Sequence, residues 1–123
     1  YLGSDRASGF AQGALHKGQH SFSFPSHLQA DTFALDGTWK VEPQSIAPVE
    51  GKGRLRLSYR GKQVNLVVSG EGDLTWTVNG QTRTTHVSGV PNGMELVHTD
   101  EAGSGELELE ASPGLQLYSF TFG

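Results

Sequence analysis

The chain has 123 residues, a formal charge of −4 and no cysteine. This length supports one hydrophobic core but not two. The missing thiols exclude disulfide exchange and thiolate metal sites within the chain, the acidic balance argues against a nucleic-acid partner, and no apolar run reaches the roughly 18 residues of a membrane span. The 17 glycines and 5 prolines predict many short elements joined by turns.

Residues 1–31 are predicted to form a glycine-rich arm that packs on the rest of the domain. The piece from Phe10 to Lys17 has some helix formers, but Gly9, Gly13 and Gly18 lie in or beside it, and each glycine weakens a helix by about 1 kcal/mol relative to alanine. We expect the arm to pair as an edge strand near Ser21–Phe24. Because the first residue is Tyr1 and no signal segment follows it, we expect a mature product or a domain of a larger protein.

From Thr32 onwards, apolar and polar residues alternate with a period of two. This alternation is typical of antiparallel strands with one buried and one solvent-facing side, whereas parallel strands between helices are apolar on both sides. The apolar phases are Leu35, Trp39 and Val41; Leu55, Leu57 and Tyr59; Val64, Leu66 and Val68; Leu74, Trp76 and Val78; and Leu107 with Leu109.

Turn signals separate these strands. Asn79-Gly80 predicts a type I′ hairpin, because both residues tolerate the positive φ angles of that turn. Further signals are Arg60-Gly61-Lys62, Gly70-Glu71-Gly72, Pro91-Asn92-Gly93 and Ser112-Pro113-Gly114. The chain as a whole is predicted to be one all-β domain, a two-layer antiparallel β-sandwich of the jelly-roll kind, with residues 32–123 as its core.

The last strand, residues 115–122, is apolar or aromatic on both phases. Leu115 and Leu117 occupy one phase, and Tyr118, Phe120 and Phe122 occupy the other. This pattern predicts a central strand that is covered by the opposite sheet on one side and by the arm on the other.

Two rows of charge lie on single strand faces. Arg54, Arg56 and Arg60 alternate with apolar residues, as do the three glutamates at 106, 108 and 110. If the two strands are neighbours, we expect the rows to pair across the sheet, with exposed pairs contributing a few tenths of a kcal/mol. The alternative is an arginine surface for an anionic ligand, which the like-charge repulsion within the row disfavours.

Metal and catalytic sites are not expected. His16 and His20 have the spacing of two ligands on one helical face, but Gly18 lies between them and no helix is predicted. The sequence has no Gly-x-Ser-x-Gly nucleophile elbow. We therefore predict a binding module without a cofactor, and not an enzyme.

Aromatic rings are the natural candidates for contact with a sugar, because flat rings stack on the apolar faces of pyranoses. Trp39 and Trp76 share the phase of their strands' aliphatic residues, which favours core packing over a surface role, and Tyr59 is in phase with Leu57. Tyr118 is better placed, on a strand with two apolar faces. Together with two turn amides, the candidate ligand-binding residues are Tyr118, Tyr59, Trp76, Trp39, Asn79 and Asn92.

Three segments carry a resemblance to a known family. They are Tyr1-Leu2-Gly3-Ser4 with Arg6-Ala7, Phe33-Ala34-Leu35-Asp36-Gly37-Thr38-Trp39, and the ending Pro113-Gly114-Leu115-Gln116-Leu117-Tyr118-Ser119-Phe120-Thr121-Phe122-Gly123. Together they resemble the domain that closes DipZ-type thiol-disulfide proteins, which carry a thioredoxin-like domain outside the cytoplasm and are related to cytochrome c biogenesis.

The resemblance implies a fold similar to that of carbohydrate-binding modules, an extracytoplasmic location and a thioredoxin-like domain upstream of Tyr1. The paired cysteines of the family belong to that other domain, so no redox activity is implied for this chain. Two functions remain open: a carbohydrate-binding-module-like domain with a glycan ligand, or a structural module that packs on the thioredoxin-like domain or its clients. An exposed ring beside unpaired polar groups would favour the first function, and an apolar patch of several hundred Å² would favour the second.

Overall fold

A computed structural model describes residues 1–5 and 7–123 of the chain, so that Arg6 of the first motif lies outside the described residues. The strands are β1 Gly18–Phe22, β2 Phe33–Val41, β3 Ile46–Pro48, β4 Gly53–Val78, β5 Gln81–Ala111 and β6 Leu115–Phe122. All strand pairs are antiparallel. Within the described ranges, no helix has the length and apolarity to traverse a bilayer.

The register divides the strands into two layers. In the first layer, the order is residues 33–36, 53–61, 103–111, 74–78 and 81–89. In the second layer, the order is β1, residues 37–41, β3, β6, residues 63–70 and residues 92–98. The predicted all-β class and the two-layer antiparallel sandwich are confirmed.

The long strand β4 crosses between the layers at two glycines. Its first and last thirds both pair with residues 103–111, whereas the intervening residues 64–70 pair with β6 in the other layer. Gly61 and Gly70 stand at these crossings with φ angles of 141° and 95°, a region that glycine enters without steric cost. The turn signals at these positions thus mark crossings between layers and not hairpins within one sheet.

The Asn79-Gly80 hairpin forms as predicted. The two residues have φ angles of 52° and 77°, and Val78 pairs directly with Gln81 across the turn. This hairpin places residues 81–89 at an edge of the first layer.

One apolar core fills the space between the layers. The alternating apolar phases all point into it, and a fully buried large apolar side chain stabilises the fold by about 1.5–3 kcal/mol. Side chains with no solvent exposure include Leu35, Trp39, Val41, Ile46, Leu55, Val64, Leu66, Leu74, Leu107, Leu109, Leu115 and Leu117.

A β-bulge in β6 explains why the last strand is apolar on both phases. Val67 pairs with Ser119, but the adjacent Val68 pairs with Leu117, so that Tyr118 is the extra residue. The bulge shifts the alternation by one position. Residues 115 and 117 before it and residues 120 and 122 after it therefore share the inward side, and Tyr118 is turned to the outside of the second layer.

The arm covers the edge of the first layer at β2. The side-chain oxygen of Gln12 accepts a hydrogen bond from the Leu35 amide at 2.7 Å, and its Nε2 donates to the Leu35 carbonyl at 3.0 Å. This one side chain satisfies the backbone groups that a neighbouring strand would otherwise pair. The Phe10 ring packs on Phe33 and Phe22, with centroid distances of 5.2 and 5.6 Å.

The two charged rows lie side by side on the outer face of the first layer, and the predicted pairing between them forms at Glu108, whereas Arg60 pairs with Asp31. Arg56 donates to Glu108 at 2.7 Å, and Arg54 donates to Asp36 at 3.1 Å. Above them, the Phe24 ring lies 4.2 Å from the Arg56 guanidinium carbon, a cation–π contact that holds the arm on this face. Arg54 and Arg56 each pair with a carboxylate of the chain. This pairing disfavours the alternative in which they form a surface for an anionic ligand.

Candidate functional site

A groove of about 430 Å³ lies where the start of the chain meets the outside of the second layer. We call it the tyrosine groove; its lining residues are Tyr1, Gly3, Asp5, Pro43, Gln44, Tyr118 and Ser119. Its volume lies within the range of small-molecule sites, about 300–1,000 Å³.

The wall of this groove is built by backbone hydrogen bonds. The Leu2 amide donates to the Tyr118 carbonyl at 2.9 Å, and the amides of Ser4 and Asp5 donate to the carbonyls of residues 42 and 43 at 2.9 and 3.0 Å. A Cβ atom at Gly3 would overlap the Pro43 carbonyl oxygen. Glycine at position 3 therefore allows the chain to close against the turn between β2 and β3.

The two tyrosines differ in their solvent exposure. The Tyr118 ring is half-buried, and its hydroxyl lies 2.9 Å from Ser69 Oγ and donates to Gln116 Oε1 at 3.1 Å. Tyr1 is 62% exposed. The groove thus combines one ring fixed in orientation by its hydrogen bonds with one ring that is open to solvent.

Polar groups complete the tyrosine groove. Asp5 and Gln44 are exposed, and neither side chain has a hydrogen-bond partner among the described residues. Carboxylate and amide groups beside an aromatic ring can bond the hydroxyl groups of a ligand whose flat face lies on the ring.

Two of the sequence candidates lie in the core. Trp39 has no solvent exposure, and its indole Nε1 donates to the Asp36 carbonyl at 3.0 Å. Tyr59 is 5% exposed and lies under Gly105. Burial raises the pKa of the Tyr59 hydroxyl above its ordinary value of 10.0. Neither ring presents a face to a ligand, so we do not include them in the proposed site.

Trp76 and Asn79 lie together in a second groove, of about 560 Å³, between the edges of the two layers. We call it the seam groove; it is lined by Trp76, Val78, Asn79, Gln81, Arg83 and residues 95–99. Trp76 is 8% exposed, and its indole Nε1 donates to the Leu96 carbonyl at 3.0 Å. It lines the groove with only a small part of its surface exposed.

Asn92 lines a smaller depression of about 240 Å³ on the same seam, between residues 85–90 and 92–94. The structure therefore distributes the surface candidates over two places. Tyr118 lies in the tyrosine groove, whereas Trp76, Asn79 and Asn92 lie on the seam.

The tyrosine groove contains three residues that sequence reasoning did not single out: Tyr1, Asp5 and Gln44. They come from the arm and from the turn after β2, about 70 or more residues from Tyr118 in sequence. The Tyr-Leu-Gly motif indicated that the start of the chain matters to the family. It did not indicate that these residues contact β6.

Among residues 1–5 and 7–123, no three His, Asp or Glu side chains come close enough to hold a metal ion. His20 Nε2 lies 3.2 Å from the Lys17 carbonyl oxygen, a local contact within the arm.

The comparisons with known proteins identify the family of the chain. The family described as "Thioredoxin like C-terminal domain" matches residues 1–123. The chain belongs to this family. It is 37% identical over 111 residues to Protein DipZ from Mycobacterium bovis and from Mycobacterium tuberculosis. The aligned part covers 90% of this chain and 16% of each relative, so the chain spans less than a fifth of the relatives' length. The resemblance to DipZ-type proteins is confirmed.

Solved structures that contain a similar fold include two carbohydrate esterases. The family two carbohydrate esterase from Clostridium thermocellum, in complex with cellohexaose, matches with a TM-score of 0.66 and 18% identity over 74% of this chain and 31% of the esterase chain. The family two esterase from Cellvibrio japonicus matches with a TM-score of 0.68 and 13% identity over 85% of this chain and 32% of that chain. At these identities the likeness establishes the β-sandwich fold alone.

Proposed function

We propose that this domain is a non-catalytic, carbohydrate-binding-module-like domain that binds a neutral glycan in the tyrosine groove. The observation that carries the proposal is the exposed Tyr1 ring beside Tyr118, with the polar side chains of Asp5 and Gln44 at the rim. The membership of the family and the similarity to DipZ support the further proposal that the domain accompanies an extracytoplasmic thioredoxin-like oxidoreductase. The sandwich shared with esterases that act on carbohydrates is compatible with this role.

The alternative, a module that packs on the thioredoxin-like domain through an apolar surface, has less support. The exposed large apolar side chains among the described residues are Tyr1, Val90 and Phe122. Phe122 pairs with Val64 near one crossing of β4, whereas Val90 follows Gly89, which pairs with Gly70 at the other crossing. Val64 and Gly70 are six residues apart along extended chain, a distance of about 20 Å. Val90 and Phe122 thus lie too far apart to belong to one apolar patch.

Binding is expected to be weak and almost independent of salt. A shallow groove with one exposed ring and few hydrogen bonds gives about 4–7 kcal/mol, or a Kd of about 10 µM to 1 mM. A neutral glycan releases no counterions, so 0.05 and 0.5 M NaCl should give the same Kd. A glycan array identifies the ligand, and calorimetric titration measures its affinity.

Tyr1→Ala should weaken this affinity about 3- to 10-fold, because a stacked ring contributes roughly 0.5–1.5 kcal/mol. The melting temperature of the Tyr1→Ala variant should stay close to that of the wild type, because the Tyr1 side chain is 62% exposed. Phe122→Ala is the matched control, because it removes another exposed ring, 52% exposed, from a different surface. An empty array, or equal losses for Tyr1→Ala and Phe122→Ala, would refute glycan binding at this groove and favour the packing module.

A further inference from the structure

The seam groove lies where the uncovered edges of the two layers meet. Residues 81–89 pair only with β4 on one side, and so do residues 92–98. The opposite edge of the first layer is different, since Gln12 of the arm satisfies the backbone of Leu35 there. The arm therefore closes one side of the sandwich and leaves the seam open to a ligand.

Arg83 points into this groove. It lies directly opposite Trp76 in the register of the hairpin, so that both side chains are on the same side of the layer. Among the described residues its guanidinium has no ion pair and no hydrogen bond. The other arginines that the structure describes, at positions 54, 56 and 60, all pair with a carboxylate of the chain.

Further groups beside Arg83 suit a polar ring-shaped ligand. The amides of Asn79 and Gln81 line the groove, and neither has a side-chain partner among the described residues. The apolar residues that line the groove are Trp76, Val78, Leu96 and Val97. On the opposite wall, the Glu95 carboxylate accepts a hydrogen bond from Gln63 at 2.8 Å and lies 3.5 Å from His98 Nδ1. The Glu95 carboxylate thus contacts Gln63 and His98 and not Arg83. The Arg83 guanidinium is therefore available to bind an anion.

We propose that the seam groove is a second binding site, for an acidic saccharide whose uronate carboxylate pairs with the Arg83 guanidinium. A guanidinium fork binds a carboxylate in a bidentate manner, the two amides can bond ring hydroxyls, and the apolar lining residues can contact the C–H groups of one pyranose. A carboxylate at the end of a peptide shares the first of these interactions. The two amides beside Arg83, which can bond ring hydroxyls, favour the saccharide.

The probe is a trimer of galacturonic acid, titrated by calorimetry beside a neutral galactose trimer. Arg83→Gln should weaken binding of the galacturonate trimer about tenfold or more, because hydrogen bonds to a charged partner are among the stronger ones. Raising NaCl from 0.02 to 0.5 M should weaken it several-fold. Lys52→Gln removes the same charge from another exposed position and should leave the affinity unchanged, as should Tyr1→Ala.

Several outcomes overturn the proposal. Equal binding of the two trimers at the seam, an unaltered affinity in Arg83→Gln, or binding of a hexapeptide with a free C-terminal carboxylate in preference to the galacturonate trimer would each do so. The proposal would also fail if the Arg83→Gln protein bound the trimer normally but self-associated in size-exclusion chromatography. The function of Arg83 would then be to prevent pairing between the sheet edges of two molecules. Loss of neutral-glycan binding in Tyr1→Ala with the galacturonate affinity intact separates this site from the tyrosine groove.

Discussion

Replacing Trp76 with alanine is expected to lower the free energy of unfolding by about 3–5 kcal/mol. The indole is 8% exposed and lies in the same inward row as Leu74. Its truncation opens a cavity and also removes the donor that satisfies the Leu96 carbonyl at 3.0 Å. In a domain of this size the melting temperature should fall by about 10–20 °C.

The measurement is urea and thermal unfolding of the wild-type and variant domains, followed by circular dichroism. Trp76→Phe is the matched control, since it keeps most of the apolar volume and should cost less than half as much. A Trp76→Ala variant that melts at the wild-type temperature would show that the ring does not support the core. In that case Trp76 would become a candidate for a surface ligand platform.

Gly70→Ala is expected to destabilise the domain by about 3 kcal/mol or more. The φ angle of Gly70 is 95°, which strains any residue with a side chain, and a methyl group there would overlap the Gly114 carbonyl oxygen. Because β4 passes from the second layer back to the first at this point, neither the strand nor the turn before β6 can move without disturbing a layer.

Gly93→Ala is the control for this substitution. A Cβ atom at Gly93 would meet no atom within 4 Å, and its backbone is outside the positive-φ region, so its unfolding midpoint should stay close to that of the wild type. Equal midpoints for Gly70→Ala and Gly93→Ala in urea would contradict the assignment of Gly70 to a sterically required crossing.

The strand pattern was predictable from sequence because burial on one side of a strand leaves a period of two. The structure confirms this pattern in the strands that contain Leu55 and Trp76. It also confirms the hairpin at Asn79-Gly80, which is a second kind of local signal. The pairing of Arg56 with Glu108 was also predictable. The arginines and the glutamates each lie on one face of a predicted strand, and opposite charges pair across a sheet when such strands are neighbours.

Other features depended on contacts that no local pattern records. The bulge at Tyr118 inserts one residue into β6, and the sequence could not show where the phase changes because both sides are apolar. The role of Gln12 depends on its position beside Leu35, 23 residues away. The tyrosine groove combines the chain start, the turn at residues 43 and 44, and β6, which become neighbours only after the layers close.

The most direct test of glycan binding in the tyrosine groove is a map of the contact surface by ¹H–¹⁵N correlation spectra. The domain is titrated with the neutral oligosaccharide that binds most strongly on the array. We expect the largest shifts at the amides of Gly3, Asp5, Gln44 and Ser119, which line the groove, with smaller changes at Arg83 and Asn92 on the seam. Shifts that concentrate on the seam, or spectra that do not change at millimolar sugar, would contradict the proposed function.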